Sequence, residues 1–136
     1  MSKKILIVED DGNIRELLRL YLEREGYEIT EAANGEEGVE LWRKINPDMI
    51  LLDVMMPIMD GWQVCKIIRK ESKVPIIIMT AKGETFDKVN GLEMGADDYI
   101  VKPLEMREVI ARVRAIFRRL APEDSGKISF DKLTVD

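Results

Sequence analysis

The feature that most constrains the fold is a fivefold alternation of short apolar runs with longer amphipathic stretches. The apolar runs occupy residues 5–8, 27–32, 49–52, 76–79 and 99–101. The first, third and fourth runs are continuously apolar, which is typical of parallel strands buried on both faces. Each intervening stretch is long enough for one helix, so the pattern predicts five strands that alternate with helices.

Helical periodicity fills these stretches. Between the first two runs, the residues spaced as one helix face are Ile14, Leu17, Leu18, Tyr21 and Leu22. Gly26 is placed to cap the carboxyl end of this helix. Similar stripes predict helices at about residues 35–45, 61–70, 85–94 and 105–120. The apolar face of the last one comprises Val109, Val113, Ile116 and Leu120.

Five strands that alternate with five helices predict an α/β fold: a doubly wound (βα)5 unit with a central five-stranded parallel sheet. The expected strand order is the flavodoxin-like 2-1-3-4-5. In that order the chain reverses direction between strands one and three, and ligands bind beyond the carboxyl ends of these strands. Function is therefore sought at those two strand ends.

Composition excludes several kinds of site. The chain has no His and one Cys, Cys65, so it cannot form a Ser-His-Asp triad, a structural zinc cluster or an internal disulfide. A net charge of -5 argues against a chain that grips nucleic acid by itself. The apolar runs are too short to span a membrane, and no secretory signal follows the N-terminus, so a cytoplasmic protein without a membrane partner is expected.

The length of 136 residues fits one domain with a short appendage. Residues 121–126 have the composition of a linker, and residues 127–136 resume the alternation of a strand. Ten residues cannot bury their own apolar face, so this segment either docks on the main domain or begins another domain. We expect the second: a domain over 1–121, followed at 122–136 by a linker and the start of a truncated domain.

Carboxylates follow two neighbouring strands of the predicted sheet. Glu9, Asp10 and Asp11 come directly after strand one, and Asp53 comes directly after strand three. Two carboxylates about 4 Å apart repel by about 4 kcal/mol at an effective dielectric constant of 20, a cost that a divalent cation relieves. Oxygen ligands favour Mg²⁺. The alternative is a solvated acidic loop that caps the first helix.

Thr80 and Lys102 lie at the ends of strands four and five, which adds a hydroxyl and an ammonium group to the same edge. Both groups suit the oxygens of a phosphoryl group on Asp53 better than they suit a bare cation. The edge therefore predicts phosphoryl transfer to Asp53. Taken singly, Thr80 is equally well read as a helix cap and Lys102 as a surface lysine.

Four dispersed motifs carry a resemblance to a known family. They are ILIVEDD at 5–11, LLDVMMPIMDGWQVC at 51–65, PIIIMTAKGE at 75–84 and GLEMGADDYIVKPL at 91–104. Together they resemble the receiver domain of two-component response regulators, and GADDYIVKP is most similar to the OmpR/PhoB subfamily of transcription factors. The resemblance covers about residues 3–120.

The resemblance implies a role for each residue at the strand ends. Asp53 would be the phosphoryl acceptor, with Mg²⁺ held by Glu9, Asp10, Asp53 and the main-chain carbonyl of Met55. Such a domain catalyses only its own phosphorylation and dephosphorylation and is not otherwise an enzyme.

By the same resemblance, Thr80 and Lys102 would hold the phosphoryl group, Tyr99 would be an aromatic switch, and the bond before Pro103 would be cis. A sensor histidine kinase would supply the phosphoryl group. Phosphorylation would change the face formed by helix four, strand five and helix five, and so promote a homodimer. The residues expected to pair across that dimer are Lys88 with Glu108, Asp98 with Arg112, and Asp97 with Arg119. The alternative is that these charges form surface salt bridges within one chain, worth at most about 1 kcal/mol each. Residues 127–136 resemble the opening of a winged-helix domain that would bind DNA, which this fragment would not do alone.

Three other readings share parts of the pattern. A haloacid-dehalogenase-type phosphatase needs a second acid two residues after its aspartate, where this chain has Met55. A flavodoxin-like FMN protein needs a donor-rich loop after strand one, which three acids would not provide. An interaction module that is not phosphorylated would be expected to lack one of the acceptor, metal, hydroxyl or ammonium groups, and all are present.

Overall fold

The structure is a computed structural model and describes residues 2–81 and 95–120. Five parallel strands form one sheet in the order β2-β1-β3-β4-β5. The strands are β1 (Lys4–Val8), β2 (Glu28–Ala32), β3 (Met49–Asp53), β4 (Ile76–Ala81) and β5 (Asp98–Lys102). The expected doubly wound sheet and its strand order are confirmed.

The helices are α1 (Gly12–Arg24), α2 (Gly35–Ile45), α3 (Gly61–Arg69) and α4 (Met106–Leu120). They correspond to the first, second, third and fifth predicted helices. The fourth predicted helix, 85–94, lies outside the described residues, and so do Lys88 and the segment 122–136.

The core consists of two apolar clusters, one on each face of the sheet. Because side chains alternate along a strand, Leu6 and Leu52 face α2 and α3, whereas Ile7 and Leu51 face α1 and α4. Both faces are covered, which explains why the central strands are continuously apolar. Because all five strands are parallel, their carboxyl ends lie at one edge of the sheet.

In the described helices, two apolar positions of the predicted stripes are exposed rather than in the core. Leu17 is 42% exposed because the buried stripe of α1 is narrower than expected and is centred on Leu18 and Leu22. Leu120, the last residue of α4, is 59% exposed. Gly26 follows α1 with a φ of 95°, as its predicted capping position requires. Within the described residues, no helix is long and apolar enough to cross a membrane.

Candidate functional site

Among residues 2–81 and 95–120, the buried polar side chains lie at the carboxyl ends of the strands. Glu9 follows β1, Asp53 ends β3, and Thr80 is the penultimate residue of β4. Each of these three residues is at most 2% exposed. A buried polar group is stable only with partners, so this edge needs charge compensation.

Three carboxylates form the cluster. Oxygen atoms of Glu9, Asp10 and Asp53 all lie within 4.8 Å of one another, and Asp10 is the exposed member. Asp11 has a different role, since its carboxylate caps α1 by accepting hydrogen bonds from the amides of Asn13, at 2.9 Å, and Ile14, at 3.3 Å. The acidic loop thus combines the two readings that its sequence allows: a cluster and a helix cap.

Lys102, at the end of β5, supplies a positive charge to this cluster. Its Nζ atom lies 2.9 Å from Oε1 of Glu9 and 3.3 Å from Oδ1 of Asp53. Burial alone would lower the pKa of Lys102, but the hydrogen bond to Glu9 and the charge of Asp53 outweigh burial and raise it. Lys102 is therefore an ammonium ion held between two carboxylates.

Burial by itself would lower the pKa of Lys102, but it raises the pKa values of Glu9 and Asp53. It raises the pKa of Glu9 to about 7, against the lowering effect of the hydrogen bond from Lys102. Burial also raises the pKa of Asp53, although Lys102 favours the ionised form. Hard oxygen ligands with excess negative charge suit Mg²⁺, so the donor set fits this ion.

The loop after Asp53 is constrained by short contacts. The amide of Met55 donates to Oδ1 of Asp53 at 3.3 Å. A Cβ atom on Gly61 would lie 2.3 Å from the carbonyl oxygen of Asp53, so only glycine allows α3 to begin so close to the end of β3. Ile58 has a φ of 72° and is 92% exposed, an unfavourable conformation for a β-branched residue.

Arg15 of α1 is a site residue that the sequence reasoning did not identify. Its Nη1 atom donates to the main-chain oxygens of Glu9, at 2.8 Å, and Asp10, at 3.2 Å, while Nε donates to Glu31 on β2 at 3.1 Å. Its position one helical turn after the N-cap Asp11, on a helix that begins at an acidic loop, was the available signal.

The comparisons with known proteins agree with this geometry. The family model described as "Response regulator receiver domain" matches residues 5–114. The chain belongs to this family. Members are signalling domains rather than classical enzymes, and they receive a phosphoryl group from sensor kinases and bind Mg²⁺ in an acidic pocket. The expected receiver domain is confirmed.

The relatives of this receiver domain are transcriptional regulators, as the OmpR/PhoB resemblance implied. Transcriptional regulatory protein SrrA of Staphylococcus aureus is 56% identical over 144 residues, which cover 100% of this chain and 60% of SrrA. Transcriptional regulatory protein ResD of Bacillus subtilis is 55% identical over 116 residues, which cover 85% of this chain and 48% of ResD. The chain thus spans about half to three-fifths of the length of these curated relatives.

Solved structures show the same fold. A two-component response regulator from Clostridium difficile superimposes with a TM-score of 0.85 at 36% identity, over 89% of this chain and 100% of that one. A putative response regulator from Chloroflexus aurantiacus superimposes with a TM-score of 0.83 at 39% identity, over 88% of this chain and 100% of that one.

An apolar groove of about 420 Å³ opens beside the acidic cluster of the receiver. Its lining comprises Ile14, Leu17, Ala81, Lys102, Pro103 and Leu104. The peptide bond between Lys102 and Pro103 is cis, as expected. The groove therefore joins an apolar part of α1 to the lysine that contacts Asp53.

Four of the residues expected at a dimer interface, Asp97, Asp98, Glu108 and Arg112, have ion-pair partners within the single chain. Arg112 contacts Asp98 and Glu108, each at 3.0 Å. Asp97 pairs with Arg69 of α3 at 2.9 Å. Arg119 is exposed on α4.

Thr80 and Tyr99, the two residues expected to form the switch, lie on the same face of the sheet. Tyr99 is in register with Ile78, and Thr80 follows Ile78 by two residues along β4. Tyr99 is partly buried and packs against the cluster that faces α2 and α3. Thr80 therefore lies on the side of the sheet on which Tyr99 packs.

Proposed function

We propose that this chain is the phosphoacceptor part of a transcriptional regulator, in which Asp53 receives the phosphoryl group. The observation that carries this proposal is the arrangement of Lys102 between Glu9 and Asp53. It combines a buried nucleophilic carboxylate, at 1% exposure, with an ammonium group and an acidic cluster at one strand edge.

Glu9, Asp10, Asp53 and the main-chain carbonyl of Met55 would hold Mg²⁺. When bound, this ion supplies neutralisation of negative charge on the transferring phosphoryl oxygens. The support for this assignment is the all-oxygen donor set and the excess of acid over base in the cluster. Asp10 is the exposed member of the set, which leaves the cluster open on one side.

In the proposed reaction, a carboxylate oxygen of Asp53 attacks phosphorus while the bond from phosphorus to the phosphohistidine nitrogen of a sensor kinase breaks. Lys102, already 3.3 Å from Oδ1 of Asp53, donates hydrogen bonds to the phosphoryl oxygens. Its contact with Glu9 orients the ammonium before transfer. Thr80 offers a buried hydroxyl to the same group.

Phosphorylation would draw Thr80 toward the phosphoryl oxygens, and Tyr99 would rotate into the vacated space. A shift from 1:99 to 99:1 requires about 5.5 kcal/mol, which hydrogen bonds to a doubly charged group can supply. The altered face would pair two receivers through Asp97, Asp98, Glu108, Arg112, Arg119 and Lys88. Dimerisation would then bring together two DNA-binding domains that begin within 122–136, in a cytoplasmic protein.

The acceptor assignment is tested by labelling with acetyl phosphate. Asp53→Asn should abolish Mg²⁺-dependent incorporation, because it removes the nucleophilic carboxylate. Asp11→Asn is the matched control: it makes the same chemical change two residues from Glu9, and asparagine still caps α1. Undiminished labelling of Asp53→Asn, or loss of labelling in Asp11→Asn alone, contradicts the assignment.

The apolar groove supports docking of the kinase beside Asp53. Leu17 lines the groove and is 42% exposed, whereas Leu20 on the same helix is 53% exposed but is not part of the lining. Leu17→Asp should slow phosphoryl transfer from the kinase while acetyl phosphate still labels Asp53. Leu20→Asp should leave both reactions unchanged, and equal slowing by the two variants contradicts docking in the groove.

A further inference from the structure

The side chain of Arg15 joins three parts of the fold. Two hydrogen bonds from Nη1 reach the main-chain oxygens of Glu9 and Asp10, at 2.8 and 3.2 Å, and one from Nε reaches Glu31 at 3.1 Å. The side chain is 21% exposed. Its contacts to the acidic loop are with main-chain oxygens, so they leave the carboxylate oxygens of Glu9 and Asp10 available as ligands.

These contacts begin where the main-chain hydrogen bonds between β1 and the neighbouring strands end. The last rung of the ladder at this end of β1 is the bond from the Glu9 amide to the oxygen of Ala32, at 3.1 Å. Beyond it, Arg15 supplies donors for two successive carbonyls. Asp10 is exposed, so the direction of its carboxylate depends on its main chain rather than on packing. Fixing these carbonyls therefore fixes the main chain from which two of the three clustered carboxylates extend.

We infer that Arg15 is a positioning residue for the divalent-cation site: it holds the main chain of Glu9 and Asp10, with Glu31 as its anchor. This inference rests on the proposed function, in which these carboxylates bind Mg²⁺. The groups behind a metal's ligands typically change affinity by about 10-fold to 100-fold when they are removed.

Arg19 provides a matched control on the same helix. It lies one turn further along α1, also pairs with Glu31, and also donates to a main-chain oxygen, that of Ile29 at 3.2 Å. Its contacts are with β2 and with Glu23 rather than with the acidic loop. Arg15→Met and Arg19→Met therefore remove similar interactions, and only the first one frees the loop.

The test is calorimetric titration of each folded variant with MgCl₂, together with thermal unfolding. Arg15→Met should weaken Mg²⁺ binding about 10-fold, and Arg19→Met should bind as the wild type does, even if both lose stability. Arg15→Lys, which keeps the charge but not the forked geometry, should bind with intermediate affinity. In Arg15→Met, amide hydrogen exchange should also become faster at Asp11, whose N–H donates to Oε2 of Glu9 at 3.1 Å.

The outcomes distinguish failure of the positioning role of Arg15 from failure of the proposed Mg²⁺ site. If the wild type binds no Mg²⁺, the proposed metal site fails and the role of Arg15 fails with it. If the wild type binds but Arg15→Met binds equally well, or Arg19→Met is equally weakened, only the positioning role is wrong. If Arg15→Met does not fold, Arg15→Lys decides: weaker binding supports the role, and wild-type affinity overturns it.

Discussion

The Nζ atom of Lys102 lies 2.9 Å from Oε1 of Glu9, although the two residues are 93 positions apart in the sequence. Glu9 is fully buried, so this contact compensates a charge that water does not reach. In the absence of a divalent cation, Lys102 is therefore a counter-ion for the acids as well as a group directed at Asp53.

Replacing Lys102 by methionine should destabilise the fold. The change leaves Glu9 and Asp53 buried without their ammonium partner, and we expect the free energy of unfolding to fall by about 2 kcal/mol. Added Mg²⁺ should stabilise this variant, because the ion binds only the folded cluster. Urea unfolding with and without MgCl₂ measures both effects. Lys66→Met, on the exposed side of α3, is the control, and equal midpoints for the two variants would contradict the prediction.

Replacing Ile58 by glycine should stabilise the fold. Ile58 has a φ of 72°, and relief of this strain exceeds the entropy that glycine loses on folding, for a net gain of about 0.5 kcal/mol. Asn46→Gly is the matched control, since Asn46 also has a positive φ, 49°, but asparagine tolerates it. Chemical unfolding compares the two, and a loss of stability in Ile58→Gly would show that the entropy lost by glycine outweighs the strain.

Glu31 should contribute stability that depends on pH. The hydrogen bond from Arg19, assisted by Arg15, lowers the pKa of Glu31 below its ordinary value of 4.5 despite partial burial. A depressed folded-state pKa stabilises above the unfolded-state pKa, and this contribution is lost as pH falls through the folded-state value. Glu31→Gln should therefore cost about 1 kcal/mol at neutral pH and progressively less below pH 4.5. A difference that stays constant from neutral to acid pH would refute this account.

Arg112→Asp should prevent dimerisation of the activated receiver. Arg112 contacts Asp98 and Glu108 within one chain, so the proposed interface exchanges an intramolecular pair for an intermolecular one. Beryllofluoride-treated wild type should sediment as a dimer and Arg112→Asp as a monomer, and adding Asp98→Arg should restore some dimer. Arg114→Asp is the control on the same helix, because Arg114 pairs with Glu25, the residue that follows α1. A monomeric activated wild type would eliminate the interface.

The sequence was sufficient to predict the sheet and the elements that carry the site. Continuous apolar runs identified the central strands, and parallel strands necessarily bring Glu9 and Asp53 to one edge. Asp53 ends β3 instead of following it, a difference of one residue. Helix α2 has the predicted bounds because Asn34 caps its start and Asn46 adopts a left-handed conformation at its end.

Contacts made by long side chains could not be predicted in the same way. The direction of the Arg15 guanidinium depends on the position of Glu31 across α1 and β2, which no local pattern encodes. Asp97 was expected to face a second molecule, yet within the chain Arg69 of α3 reaches it at 2.9 Å. Exposure of Leu17 likewise depends on which neighbours cover α1, and periodicity alone does not specify them.

The place of β5 in the sheet has a consequence for local unfolding. In the described part of the chain β5 is an edge strand paired only with β4. It nevertheless ends in the lysine that contacts Glu9, which follows β1, and Asp53, which ends β3. Fraying of this edge would withdraw Lys102 and leave two buried carboxylates without compensation, so opening carries an electrostatic penalty. A divalent cation in the cluster would remove that penalty. With metal bound, opening of β5 would no longer leave these carboxylates uncompensated. The amide of Ile100 in β5 would then exchange with solvent faster in the metal-bound protein.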